Sequence, residues 1–222
     1  MTTATAPDTT VPLFGGKHHF LLRRLHSLTG IIFGGYICIH LLVNATLIQG
    51  GNIFQLQVDK IHSLPFLFGI EWLFICIPII YHTIYGAWII VTGQPNTGTY
   101  PYLKNTFYLL QRISAIILAA FIFYHVLSMH GLFGPAFDPA HATPSAAANI
   151  DAHWFVAYLV YPIGIIAACF HTANGFWAAG ISWGLTVSKG GQRRWGWVCL
   201  AIFAGMTLAG LTALAAAIAH RA

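Results

Sequence analysis

Apolar and polar positions are not evenly mixed along this chain. They fall into five long apolar runs separated by shorter polar stretches. A helix rises about 1.5 Å per residue, so crossing a hydrocarbon layer of about 30 Å takes roughly 20 residues. Five segments meet that length: 27–48, 64–92, 106–129, 153–183 and 195–219. The pattern predicts an all-α integral membrane bundle of five transmembrane helices, forming a single domain over residues 1–222. The second and fourth runs are longer than a span needs, which implies tilt or extension past the lipid. Pro78 and Pro162 lie inside them. Each marks an expected kink, tolerable because neighbouring groups re-satisfy the freed carbonyl. The stretch GLFGPAFDPAHATPSAAANID after the third run is rich in Pro and Ala and reads as a surface loop.

Composition supports the membrane reading. Of 222 residues, 57% are hydrophobic and 7% charged, against about 25% charged in soluble domains. The polar start, MTTATAPDTTVPLFGGKHH, has no apolar h-region and is not expected to be a cleavable signal peptide. Cys38, Cys76, Cys169 and Cys199 lie in apolar runs without a CxxC or CxxCH spacing. That argues against covalent haem attachment and structural zinc, and leaves the cysteines as packing residues.

Charge gives an orientation. Lys17, Arg23, Arg24, Lys104, Arg112, Lys189, Arg193 and Arg194 fall on one side of a five-span topology, and Lys60 and Arg221 on the other. The positive-inside rule makes the N-terminus cytoplasmic. Four of the five acids, Asp59, Glu71, Asp138 and Asp151, fall on the outer side. Small residues at Gly30 and Gly34, and at Ala201, Gly205 and Ala209, form ladders that suit close helix packing.

Four of the twelve histidines change the picture further. His40, His82, His125 and His171 sit one in each of the first four runs. An ionisable residue inside a membrane marks a functional site by default. His40 is 16 residues past Arg24 and His125 is 13 past Arg112, about 24 and 20 Å from the basic side. His82 is 18 residues past Leu64 and His171 is 20 past Asp151, about 27 and 30 Å from the opposite side. Two pairs at two depths result: His40 with His125 in the outer half, and His82 with His171 in the inner half. A haem iron takes two axial imidazoles from opposite faces, whereas zinc wants three or four ligands at one point. The expected cofactors are therefore two bis-His haems b. Filled axial positions favour electron transfer over oxygen chemistry.

Several neighbours acquire candidate roles, each with a plainer alternative. Gly86 and Gly175 follow His82 and His171 by four residues, and Gly34 precedes His40; they leave room for a porphyrin or for another helix. Arg24, His26 and Ser27 in RRLHS, with Arg112, could bind haem propionates or anchor the basic side. Glu71 could accept a proton from a quinol as a general base, or bond to a neighbouring helix.

The phrases RRLHSLTG, IIYHTIYG, QRISAII…YH and FHTANGFW…SWGLTV occur in this order over about residues 20–210. Together they resemble the cytochrome b membrane-anchor subunit of succinate dehydrogenases and fumarate reductases, in the class where one five-helix chain carries two haems. The resemblance implies a flavoprotein partner with FAD, an iron–sulfur partner, a quinone (usually menaquinone) as exchangeable substrate, and a bacterial cytoplasmic membrane location. It implies the same pairing, with His40 and His125 on the haem far from the partner subunits and His82 and His171 on the near one. The dicarboxylate chemistry then belongs to the flavoprotein. Some fumarate reductases of the family carry a glutamate two residues before the fourth ligand; here that position is Cys169. Succinate:quinone oxidoreduction is the first reading. The same anchor in a quinol:fumarate reductase is the alternative, followed by a cytochrome b of another oxidoreductase and a histidine-relay transporter. Nothing in the sequence points to nucleic acid.

Overall fold

The computed structural model describes residues 16–93 and 97–220, and every regular element among them is helical. The helices are α1 (Gly16–Ala45), α2 (Gly51–His62), α3 (Leu67–Glu71), α4 (Ile77–Thr92), α5 (Leu103–Met129), α6 (Ala142–Ile150), α7 (Tyr161–Ser182) and α8 (Lys189–Ala219). Five continuous helical stretches are long and apolar enough to span a membrane: His18–Gln49, Leu67–Thr92, Leu103–Met129, Val156–Ser182 and Lys189–Ala219.

The span boundaries differ from expectation in instructive ways. The first helix does not begin at residue 27 but at Gly16. The double arginine does not end it, because Arg24 stacks its guanidinium on Phe20 and Trp183, 5.1 and 4.9 Å from the ring centres. A long cationic side chain can thus cover apolar surface at the interface. The second span begins at Leu67 rather than Leu64, because Phe66 is left-handed (φ 59°) and cannot continue a helix backward. The fifth starts at Lys189, six residues early, with the Ser188 side chain accepting from the Gly191 amide.

Both intramembrane prolines follow a π-helical turn, Trp72–Cys76 before Pro78 and Val156–Val160 before Pro162. A proline ring clashes with the carbonyl four residues back. Those carbonyls belong to Phe74 and Tyr158, both inside the wide turns. The π-turn opens the helix where the ring needs room.

The outer connections are more ordered than a surface loop. Helix α2 buries Phe54 and Val58, and α6 buries Ala142, Ala147, Asn149 and Ile150. The two pack together as a cap over one end of the bundle. Gln55 joins them, donating to the Pro139 carbonyl and accepting from the Ala142 amide. Asn149 donates to the Ser128 and Pro135 carbonyls and accepts from the Ser128 hydroxyl, at 2.7, 2.7 and 2.8 Å. Buried amides persist when satisfied in this way.

Within the bundle, α7 packs on α5 and α8, while α1 packs on α4, α7 and α8. Gly34 lets α1 approach α7, since a Cβ there would meet Phe176 and Thr172 at 2.9 and 3.1 Å. The ladder in α8 behaves differently. Ala201 and Gly205 face outward, and nothing lies within 4 Å of a Cβ at Gly205. The buried face of α8 is instead Cys199, Met206, Gly210, Ala213, Leu214 and Ala217.

Candidate site: two histidine pairs across a helical trough

Helices α1 and α7 form the floor of a trough whose walls are α4, against α1, and α5, against α7. Neither α1 with α5, nor α4 with α7, is among the helix pairs in close backbone contact. Imidazoles cross both gaps. His40 of α1 faces His125 of α5 with ring centres 6.0 Å apart, and His82 of α4 faces His171 of α7 at 6.1 Å. All four rings are half-buried.

The two pairs occupy separate levels. A Cβ at Gly30 would lie 2.5 Å from the His82 ring, so Gly30 marks the His82 level on α1. His40 is ten residues further along, about 15 Å at helical rise. Helix α7 gives the same spacing. Tyr161 touches His125, and His171 lies ten residues on, again about 15 Å.

Hydrogen bonds orient the rings. His82 Nδ1 is 3.0 Å from the His26 carbonyl, and His171 Nδ1 is 3.2 Å from the Gln111 carbonyl. A carbonyl only accepts, so each Nδ1 carries the proton and each Nε2 keeps its lone pair. His125 Nδ1 lies 3.1 Å from the Tyr161 hydroxyl. His40 packs its ring on Tyr36, with centres 5.6 Å apart. Metal-bound imidazoles are held this way, by a partner on the nitrogen remote from the metal. Two imidazoles on opposite sides of one metal ion, bonded at about 2.0–2.1 Å each, have ring centres roughly 6–6.5 Å apart. Both pairs fit that separation. Among the described residues no group of three or more His, Cys, Asp or Glu side chains could hold a metal ion.

Around the His82–His171 pair, His26 stacks on His82 (ring centres 4.0 Å, interplanar 12°), and its Nδ1 is buried without a hydrogen-bond partner. A Cβ at Gly86 would meet His26 at 3.2 Å. Gly175 faces Gln111 at an ordinary 3.6 Å. Ser27 accepts from the Trp183 indole at 2.9 Å. Arg112 is buried, but its guanidinium is already engaged. It donates to the Gly93 and Ile89 carbonyls at 2.9 and 3.2 Å, closing the end of α4, and to the Tyr108 hydroxyl. Only its Nε–H is left without a partner. At the other level, Glu71 ends α3 about one turn into its span, not two, because the helix starts at Leu67.

Tyr161 and Gln111 were not singled out by sequence reasoning, and Gly30 was read there only as a helix-packing residue. Gln111 forms a reciprocal clamp: its side chain donates to the His171 carbonyl at 3.0 Å and accepts from Asn174 at 2.8 Å. The available signal was the QRIS phrase preceding a buried histidine. Tyr161 had none, since an aromatic beside a proline is not distinctive.

Residues 94–210 match the model of the succinate dehydrogenase/fumarate reductase transmembrane subunit family, which is more than half the chain. The succinate dehydrogenase cytochrome b558 subunit of Bacillus subtilis (strain 168) is 33% identical over 208 residues, covering 90% of this chain and 97% of that protein. The chain belongs to the succinate dehydrogenase/fumarate reductase transmembrane subunit family. As a member it is the multi-pass membrane subunit of an electron-transport complex of the bacterial respiratory chain. The five apolar spans suit that anchor role.

Proposed function

We propose that this anchor carries two haems b and passes electrons between an iron–sulfur subunit at the cytoplasmic face and quinone in the membrane. The observation that carries the reading is the two facing imidazole pairs at two levels, each joining helices that are not among the closely packed pairs of the bundle. His40 and His125 would hold the outer haem, and His82 and His171 the inner one. Bound there, haem would supply a one-electron couple, held by the two imidazoles of each pair.

The chain's own residues do the rest. The His26 and Gln111 carbonyls fix the inner imidazoles. Arg24 and Ser27, both against Trp183, and His26, stacked on His82, are the proposed partners for propionate carboxylates, with Arg112 contributing its free Nε–H. Gly86 and Gly175 keep the ring's flank clear, and Gly34 seats α1 against α7. Toward the outer level, Glu71 receives a proton from a quinol as a general base. The N-terminus and the basic helix ends are cytoplasmic. The partners are a flavoprotein with FAD and the iron–sulfur subunit, and the quinone is menaquinone. Succinate oxidation is the proposed direction, although fumarate reduction would use the same residues in reverse.

Cys169 is fully buried two residues before His171 and offers no carboxylate there. Electron flow between an outer quinone site and cytoplasmic partners is then uncompensated by a proton path at this position and couples to membrane potential. A reduced-minus-oxidised spectrum with a haem assay tests the main reading: two b-type haems per chain support it, and none removes it. Turnover in proteoliposomes tests the coupling, and electroneutral turnover refutes it.

A further inference from the structure

A lateral groove of about 490 Å³ opens over α7 between α5 and α8, away from both histidine pairs. Its floor is apolar, built on Phe107, Phe170 and Phe203, and its rim at the basic end carries Lys104, Lys189 and Arg193. Along α8 the lining runs from Lys189 to Phe203, about 21 Å at helical rise. That exceeds one leaflet's share of a hydrocarbon core about 30 Å thick.

No described acid compensates the charge of the rim. Lys189 and Arg193 are four residues apart on α8, a spacing at which like charges repel. Lys189 is also the first residue of that helix, where the macrodipole disfavours a cation. Lys104 reaches only a neutral partner, Gln192 Oε1 at 3.5 Å, and the face of Trp177 at 5.8 Å. Among the described residues no acid lines the groove; Asp59, Glu71, Asp138 and Asp151 all belong to the opposite side of the topology, and the fifth acid, Asp8, lies outside the described residues. Three cations that no described acid neutralises, at the membrane boundary above an apolar channel of leaflet depth, call for an anion with a hydrocarbon tail.

We propose that this groove binds an anionic glycerophospholipid, its phosphate between Lys104, Lys189 and Arg193 and one acyl chain on the phenylalanine floor. A neutral quinone ring would leave the cations unmatched, and a free phosphate would leave the floor unused.

The purified, delipidated complex is titrated with phosphatidylglycerol or phosphatidylcholine in nanodiscs and by native mass spectrometry, with inorganic phosphate as competitor. Phosphatidylglycerol is expected to be retained at least tenfold better, and millimolar phosphate is expected not to displace it. Each cation near an anionic headgroup contributes roughly fivefold in binding, so the triple variant K104Q/K189Q/R193Q should weaken retention by roughly a hundredfold. Gly196→Leu, which fills the groove without changing charge, should weaken it independently. Equal retention of the two lipids, displacement by phosphate alone, or undiminished retention by both variants overturns the proposal.

Discussion

Removing the hydroxyl of Tyr161 isolates the outer haem from everything else. Tyr161 is buried, with its ring edge-on to Phe121 at 5.3 Å and its hydroxyl 3.1 Å from His125 Nδ1. Phenylalanine keeps the ring and its packing and removes one hydrogen bond. If His125 ligates iron through Nε2, its Nδ1 carries the proton and donates to Tyr161. Such a partner raises the basicity of the ligand and favours the oxidised metal. A hydrogen bond of this kind is worth about 1 kcal/mol net. A tenfold change in a one-electron equilibrium is about 59 mV, so the midpoint of the outer haem should rise by up to about 40 mV in Tyr161→Phe. The orphaned N–H also costs about 1–3 kcal/mol of stability. A potentiometric titration of the holo-complex followed optically should show one component moving up and the inner one fixed. A shift confined to the inner component, or a downward shift of the outer one, would refute the orientation given to His125.

Other positions give independent tests. Gly30→Ala places a Cβ 2.5 Å from the His82 ring, so the inner haem should be lost or weakened while the outer is retained, read from the haem stoichiometry and spectrum. Asn149→Ala removes three hydrogen bonds, two to Ser128 of α5 and one to the Pro135 carbonyl of the loop that follows it; at about 1 kcal/mol each it should destabilise the cap by about 3 kcal/mol, seen as earlier local exchange or proteolysis. Asp138, outside the spans, has its carboxyl held below the ordinary carboxylate value by the hydrogen bond from His141 and then by the Ala140 amide. Its stabilisation is present above the ordinary carboxylate range and is lost as pH falls through its lowered pKa. Asp138→Asn should therefore loosen the N-terminal end of the cap at neutral pH, with hydrogen exchange of the two proteins converging in acid.

The spans were legible because lipid demands long apolar stretches, and the histidines because so few ionisable groups occur at depth. Their boundaries were not. Arg23 and Arg24 look like a helix end, but the helix runs through them once Arg24 lies on Phe20 and Trp183. The cap was hidden for a different reason. Helix α2 is only twelve residues long, and α6 combines Pro144 with alanines that resemble a loop. Both are ordered by mutual burial and by Gln55, contacts that sequence periodicity cannot display. Arg112 shows the same limit: its charge was visible, but not the Ile89 and Gly93 carbonyls that occupy it. The partners of the imidazole Nδ1 atoms come from backbone carbonyls and one tyrosine, and only the fold assigns them.

Paired ligand replacement tests the central claim most directly. His82→Leu and His125→Leu are introduced separately, and haem per chain and the low-temperature difference spectrum are measured on each assembled complex. Two histidine pairs at two levels predict one haem lost in each variant, with different spectral components removed. Loss of the same single component in both would contradict the pairing of His40 with His125 and of His82 with His171.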